Sequence, residues 1–332
     1  MAGSFGTTFA PLMAVSQSDA NGVYEPVTMQ PFGPISLSPA AHVLHYGSAC
    51  FEGLKAHRGE DGVVRLFRLD AHVNRLVQTA SLMHLPHPPA AFMTDAIYST
   101  VQANLDAIPA QPDSAYVRPM IIGTEPNIGA AGHPSTSASF MVLVSPVGQY
   151  FSADKALRIA VETELLRTTP MFGRAKAGAN YALALPPTMA AEAAYEADQV
   201  LFAPGGDIQE TGASNVMVFT ENTLITPPLS DAFLHGVTRD SIIQLARDNG
   251  MTIEERHISV DELVSLAPTG EVALTGTAAI MAPVGTLIVD GQEVPIRDGK
   301  PGDTTTALRA QLRAIQQGTA PDTHGWLTPV TR

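Results

Sequence analysis

A lysine set among alanines and a glycine, with no acidic residue inside the stretch, stands in Arg174-Ala175-Lys176-Ala177-Gly178-Ala179-Asn180-Tyr181. Small neighbours let a flat ligand come close to the backbone. A lysine with no carboxylate beside it can be desolvated until its amine gives up its proton, and such an amine attacks a carbonyl to form a Schiff base. The octet taken alone fits a surface lysine on a turn as well. The lysine count separates the two readings, because the 332 residues hold only Lys55, Lys155, Lys176 and Lys300. Lys300 lies in the polar turn Asp298-Gly299-Lys300-Pro301-Gly302, and Lys155 stands beside Asp154. Lys176 is the Schiff-base candidate.

Two further stretches are built for phosphate. Gly236-Val237-Thr238 falls at a helix start, where backbone N–H groups and the helix dipole favour an anion. Thr275-Gly276-Thr277 offers hydroxyls and amides with little bulk. Each is weak alone; with Lys176 they point to a phosphorylated carbonyl cofactor, and pyridoxal phosphate is the obvious one. Such a cofactor also needs a carboxylate at its ring nitrogen. Glu210, ahead of the small residues Thr211-Gly212-Ala213-Ser214-Asn215, is the candidate, although its pattern also suits an ordinary exposed glutamate. Rival chemistries lack their residues. His84 and His87 have no second ligand pair, so no metal is expected. The nucleophile elbow, the phosphate-binding P-loop and the dinucleotide fingerprint are absent. Cys50 beside Phe51 reads as packed core.

Helices and strands must carry these groups. Val63–Arg68 alternates as a strand, and a helix follows with Asp70 as its expected N-cap and Val73, Leu76, Val77, Ala80 and Met83 on one face. Arg75 lies off that stripe and reads as a solvated arginine. A second helix follows Pro88-Pro89, and strands follow at 115–122 and 139–144. The intervening Gly123–Ser137 is long enough to be functional or mobile. Arg118 sits inside an apolar strand, where an arginine needs an anionic partner. Beyond a joint near Gly148, strands are expected at 157–161, 200–203, 216–220, 224–226 and 271–274. Helices are expected over 180–197, after Thr238 as N-cap, after the capping-box pair Ser259 and Glu262, and over 304–317. Without strict βαβ alternation the fold class is α+β with mixed sheets. The expected division is a small N-terminal domain 1–148, a linker 149–156 and a large cofactor-binding domain 157–332.

Composition bounds the function. A chain that is 45% hydrophobic and 15% charged is globular, and no apolar run approaches the ~20 residues of a membrane span. One cysteine leaves no internal disulfide and, with no signal peptide visible, suits the cytoplasm. A net charge of −13 argues against nucleic acid as partner but not against a small anionic ligand in a local cup of donors.

The ordered motifs Phe5-Gly6-Thr7, His45-Tyr46-Gly47, Phe51-Glu52-Gly53-Leu54-Lys55, Tyr116-Val117-Arg118-Pro119, Ile122–Pro126, Leu143–Phe151, Lys176–Tyr181, Glu210–Asn215, Gly236–Asp240 and Thr275–Ala278 resemble the branched-chain amino-acid aminotransferases. These belong to the class IV (fold type IV) pyridoxal-phosphate enzymes. The resemblance implies two mixed α/β domains with the cofactor at their interface, a homodimer, and transfer of an amino group between leucine, isoleucine or valine and 2-oxoglutarate. It assigns Lys176 to the Schiff base and the proton shuttle, Glu210 to the ring nitrogen and Tyr181 to the phenolic oxygen. It gives Arg75, Val237, Thr238 and Thr277 to the phosphate, overturning the surface reading of Arg75, and packs Leu234 against the ring. Tyr46, Phe51, Tyr116 and Tyr150 would wall the side-chain pocket. The Thr277-Ala278 turn would take the substrate carboxylate, Arg118 the distal carboxylate of glutamate, and Ile128 would reach the partner's pocket. His235 for the usual proline, Met217 for an aromatic and Ala213 for a threonine depart from the pattern and bear on substrate choice. Other fold type IV activities remain open: a D-amino-acid or (R)-amine transaminase, aminodeoxychorismate lyase, or a specialised biosynthetic aminotransferase.

Overall fold

Alternation along Ser114–Gly123 buries Ala115, Val117, Pro119 and Ile121 on one face and leaves Tyr116, Arg118 and Met120 half-buried on the other. This strand is the spine of the first of two compact units seen in the computed structural model, which describes residues 5–148 and 155–332. The first unit takes in residues up to 148, a short return at 175–179 and the tail from 314; the second holds the remainder up to 313. The return and the tail depart from the expected division at 148 and 157. The tail leaves because its last strand pairs back onto the first sheet. Most of the expected linker lies outside the described residues.

The first unit contains β1 (Leu12–Gln17), β2 (Thr28–Pro31), α1 (His42–Tyr46), β3 (Ala49–Phe51), β4 (Leu54–Arg58), β5 (Val64–Phe67), α2 (Leu69–Leu82), α3 (Ala90–Ala103), β6 (Ser114–Gly123) and β7 (Ala138–Val147). The second contains β8 (Leu157–Glu162), α4 (Gly178–Tyr195), β9 (Gln199–Phe202), β10 (Asn215–Thr220), β11 (Thr223–Thr226), α5 (Val237–Asp248), β12 (Thr252–Glu255), α6 (Val260–Leu266), β13 (Glu271–Gly276), β14 (Ile280–Val289), β15 (Gln292–Pro295) and most of α7 (Asp303–Gln316). Strand β16 (Leu327–Val330) returns to β5 of the first unit.

The first sheet runs β16-β5-β4-β6-β7-β1-β2 with β3 also on β6, and every pairing is antiparallel. Helices α2 and α3 cover one face over a core of Leu54, Leu66, Leu76, Ile97, Val117 and Phe140. The second sheet runs β12-β11-β10-β13-β14-β8-β9 and is mixed, with parallel pairs at β11/β12, β14/β8 and β8/β9. Its core is aliphatic, around Ile159, Val216, Val218, Leu274 and Leu287.

Two expected caps are replaced. Helix α2 begins one residue ahead of Asp70, with Arg68 as N-cap in the left-handed region (φ 52°). Helix α5 is capped by Gly236, with no side chain closing it, so Thr238 lies inside the first turn. At α6 the expectation holds, since Ser259 Oγ accepts the N–H of Glu262 at 3.0 Å.

Candidate active site

In the first unit Lys176 is held from two sides. Its N–H donates to Thr79 Oγ1 of α2 at 3.2 Å, and its carbonyl accepts the N–H of Phe51 at 3.1 Å. A bridge between Cys50 and Ala177 extends the pairing. The amine Nζ stands 5.4 Å from the centroid of the Phe51 ring. The other lysines are engaged elsewhere: Lys155 Nζ lies 2.6 Å from Asp198, Lys300 Nζ 3.3 Å from Asp298, and Lys55 is buried in β4. Burial pushes the Cys50 thiol up to about 12, reinforced by the charge of Glu52, which leaves it inert.

Helix α2 turns His72, Arg75 and Thr79 to this region, since residues three and four apart share a helix face, and all three are buried. Arg75 is therefore no surface arginine. Its Nε and Nη2 donate to the two oxygens of Glu52 at 2.5 and 2.8 Å. His72 Nδ1 lies 2.8 Å from Glu52 Oε2. Burial by itself would raise the Glu52 carboxyl, but the Arg75 guanidinium and then His72 hold it far below the usual carboxylate range. Burial pushes the His72 imidazole down, with partial opposition from Glu52. A carboxylate only accepts, so the neutral ring carries its proton on Nδ1.

The register places Phe51 opposite Met120, which puts its ring on the face of β6 that bears Tyr116 and Arg118. The Arg118 guanidinium carbon lies 4.4 Å over the Phe51 centroid and 5.2 Å over that of Tyr116. Its Nη2 donates to Tyr116 Oη at 3.4 Å, while its Nε is buried without a hydrogen-bond partner. Gly53 permits this packing, because a Cβ there would meet Tyr116 Oη at 1.7 Å. Tyr46 Oη donates to the carbonyl of Ile128, whose side chain is exposed. The recorded contacts thus make two groups, Phe51–Tyr116–Arg118 and Tyr46–Ile128. Tyr150 lies outside the described residues.

In the second unit Glu210 is buried rather than exposed. Its Oε1 accepts the N–H of Leu234 at 2.9 Å and its Oε2 accepts Asn215 Nδ2 at 3.1 Å. Arg167 Nη1 stands 2.6 Å from Oε1, both side chains being almost wholly buried. That contact is an ion pair without hydrogen-bond alignment. Tyr181 is half-buried in the first turn of α4 beside the fully buried Asn180, which Thr168 and Phe172 hold at 2.7 and 3.0 Å. Val237 and Thr238 are buried in the uncapped first turn of α5, and Thr277-Ala278 form the half-buried turn between β13 and β14.

These groups fit a phosphorylated pyridine aldehyde. At the α5 N-terminus the N-cap is Gly236, which offers no side chain to the first-turn amides. Thr275 Oγ1 nearby in sequence to Thr277 is buried with no hydrogen-bond partner. Gly236 brings backbone so close to Asn215 that a Cβ would meet its Oδ1 at 2.0 Å. Sequence reasoning overlooked Glu52, His72, Arg167 and Asn215 as site residues. Glu52 sat in a recognised motif without a role, and nothing in Leu165-Leu166-Arg167-Thr168 marks the arginine as buried.

Residues 49–287 match the family described as amino-transferase class IV, and the chain belongs to that family. It is 39% identical over 312 residues to the branched-chain-amino-acid aminotransferase of Mycobacterium tuberculosis, across 90% of this chain and 84% of that protein. Among solved structures it resembles the branched-chain amino acid aminotransferase of Thermobaculum terrenum in its PLP form (TM-score 0.81, 25% identity, 98% of this chain and 100% of that one). It also resembles the T.th. enzyme complexed with N-(5'-phosphopyridoxyl)-L-glutamate (TM-score 0.80, 28% identity, 98% and 100%). Both are fold type IV proteins, and this chain shares that fold.

Proposed function

We propose that this protein is a pyridoxal-phosphate-dependent transaminase that exchanges an amino group between L-leucine, L-isoleucine or L-valine and 2-oxoglutarate, giving the 2-oxo acid and L-glutamate. Arg118 carries the reading: a guanidinium lies 4.4 Å over Phe51 with its Nε buried and unpartnered. Such a wall takes a branched aliphatic side chain against its rings and the distal carboxylate of glutamate against its cation.

Bound pyridoxal phosphate supplies an electron-withdrawing ring that stabilises negative charge at the substrate Cα. Lys176 Nζ would hold the cofactor at its aldehyde carbon, with loss of water, and, once an incoming amino group displaces it, would carry the proton away from and back to the substrate. Glu210, fixed by Leu234, Asn215 and Arg167, pairs with the ring nitrogen. Tyr181 would donate to the phenolic oxygen and Leu234 would pack on the ring. Arg75, the first-turn amides of Val237 and Thr238, and Thr277 would hold the phosphate. The Thr277-Ala278 turn orients the substrate carboxylate, and Tyr46, Phe51, Tyr116 and Tyr150 exclude water from the side chain.

The protein works as a homodimer in this reading. Helix α4 leaves Leu185 and Met189, four residues apart on one face, and Leu183 on another side more than half exposed, apolar surface that a second copy covers. Ile128 then belongs to the partner's pocket. Among the described residues no helix is long and apolar enough to cross a membrane, and the one buried thiol suits the cytoplasm.

Borohydride reduction and peptide mapping test the first step: the label belongs on Lys176, and a label on Lys55, Lys155 or Lys300 removes the assignment. Single half-reactions test the second. Arg118→Leu loses the L-glutamate half-reaction and keeps the L-isoleucine one; loss of both makes Arg118 structural. A wild-type preference for D-alanine or an (R)-amine assigns the chain to another fold type IV activity.

A further inference from the structure

Glu52 and His72 form a buried cluster with Arg75. Glu52 is fully buried at the joint of β3 and β4. Its N–H donates to the carbonyl of Pro119 at 2.8 Å, and its Oε2 accepts the N–H of Gly53 at 3.1 Å, so its backbone is tied to the central strand. From α2, Arg75 reaches it with two parallel N–H···O bonds of 2.5 and 2.8 Å and His72 adds a third of 2.8 Å. A two-pronged contact between guanidinium and carboxylate fixes the plane of the guanidinium as well as its position. A buried pair of this kind is a costly way to gain stability, since apolar residues of equal volume do as well. The next turn of the same helix face holds the backbone of Lys176 through Thr79. The cluster and the Schiff-base lysine are therefore set by one helix.

We propose that Glu52 is a positioning residue for cofactor phosphate: it orients the Arg75 guanidinium toward the phosphate, and His72 in turn holds Glu52 in place. The inference rests on Arg75 being a phosphate ligand. It assigns to Glu52 and His72 no contact with cofactor or substrate. Their effect appears only in how much the protein gains from the phosphate group.

The test uses the full chain stripped of cofactor and measures dissociation constants for pyridoxal phosphate and for pyridoxal, which lacks the phosphate. The dissociation constant for pyridoxal divided by that for pyridoxal phosphate isolates the phosphate contribution, and a merely structural role for Glu52 does not move it. Thermal melting of the ligand-free chain is recorded alongside, so that loss of stability is read separately. Glu52→Gln keeps the shape of the side chain and removes its charge, and it is expected to lower the ratio about tenfold or more, the loss of one charge-assisted hydrogen bond in effect. An unchanged ratio in a folded Glu52→Gln protein, while Arg75→Met lowers it, overturns the positioning role. An unchanged ratio in Arg75→Met overturns the phosphate reading of Arg75, and the inference with it. Should Glu52→Gln fail to fold, His72 decides: His72→Leu lowers the ratio several-fold and His72→Asn, whose amide can donate to Glu52 from nearly the same place, restores most of it. Equal ratios in those two variants and in wild type overturn the proposal.

Discussion

Each buried charge here is met by a partner far along the chain, Glu52 for Arg75 and Arg167 for Glu210. The sequence singles out Lys176 because lysines are scarce and its neighbours are small. It does not single out Arg75, because helical periodicity puts it off the apolar stripe. Its burial depends on a carboxylate from a different element, 23 positions earlier. Arg167 had no local signal at all, yet it is the cation beside Glu210. Two predictions belong at this scale. If Glu210 pairs with the ring nitrogen as proposed, Glu210→Gln removes the charge that would keep it protonated, and single-turnover proton abstraction slows on the order of 10²-fold or more; near-wild-type rates would refute the role. Arg167→Leu removes the cation that lies 2.6 Å from the buried Glu210 carboxylate. Breaking a buried pair by removing one partner costs roughly 3 kcal/mol or more, and denaturant unfolding of the variant reads that loss. If Arg167→Leu unfolds at the wild-type midpoint, Leu234 and Asn215 suffice to hold the carboxylate.

The elements divide along a similar line. Helices α2, α3, α4, α5 and α7 and strands β6 to β8 followed from periodicity, because each buries one face of a long stretch. Strands β12, β15 and β16 carry four residues each and sit at sheet margins, where a short pattern cannot be told from a loop. The tail strand β16 is held by β5, a partner no local pattern could name. Glu125 Oε2 accepts the N–H of Thr136 at 2.8 Å and His42 Nε2 lies 3.0 Å from the carbonyl of His133, so the Gly123–Ser137 loop is tied at both ends. At the start of α5, Gly236 has an ordinary φ of −70°, so any strain from a side chain there is steric alone. Gly236→Ala drives a Cβ into Asn215 Oδ1 and displaces the amide that bonds both Glu210 and the Leu234 carbonyl. A cost of about 1–3 kcal/mol is expected, with weaker cofactor binding. Unchanged melting and cofactor affinity would mean that Asn215 has room to move aside.

For the whole molecule two electrostatic effects oppose each other as pH falls. The chain carries a net charge of −13 at pH 7, so mild acid relieves self-repulsion and favours the folded state. The buried cluster works the other way. His72 is depressed by burial, with Glu52 opposing and Arg75 and Lys176 adding to the depression. The unfolded chain therefore binds a proton near the ordinary histidine value of ~6.5 that the folded chain refuses, and stability drops as pH falls through that range. Glu52 is depressed too, because Arg75 and His72 outweigh its burial. Its contribution is intact above the ordinary glutamate value of ~4.3 and is lost as pH falls further toward its folded value. Both signs agree, and both groups are buried, so salt screens them far less than it screens the surface charge. At high ionic strength the protein should lose stability in two stages, gently below pH ~6.5 and steeply below ~4.3. His72→Asn flattens the first stage and Glu52→Gln the second, judged by slope against pH and not by absolute stability, since each variant also loses a bond. Unfolding free energies measured at several pH values in high salt check this. A stability curve that keeps its full acid slope in Glu52→Gln would place the responsible carboxylates outside the cluster.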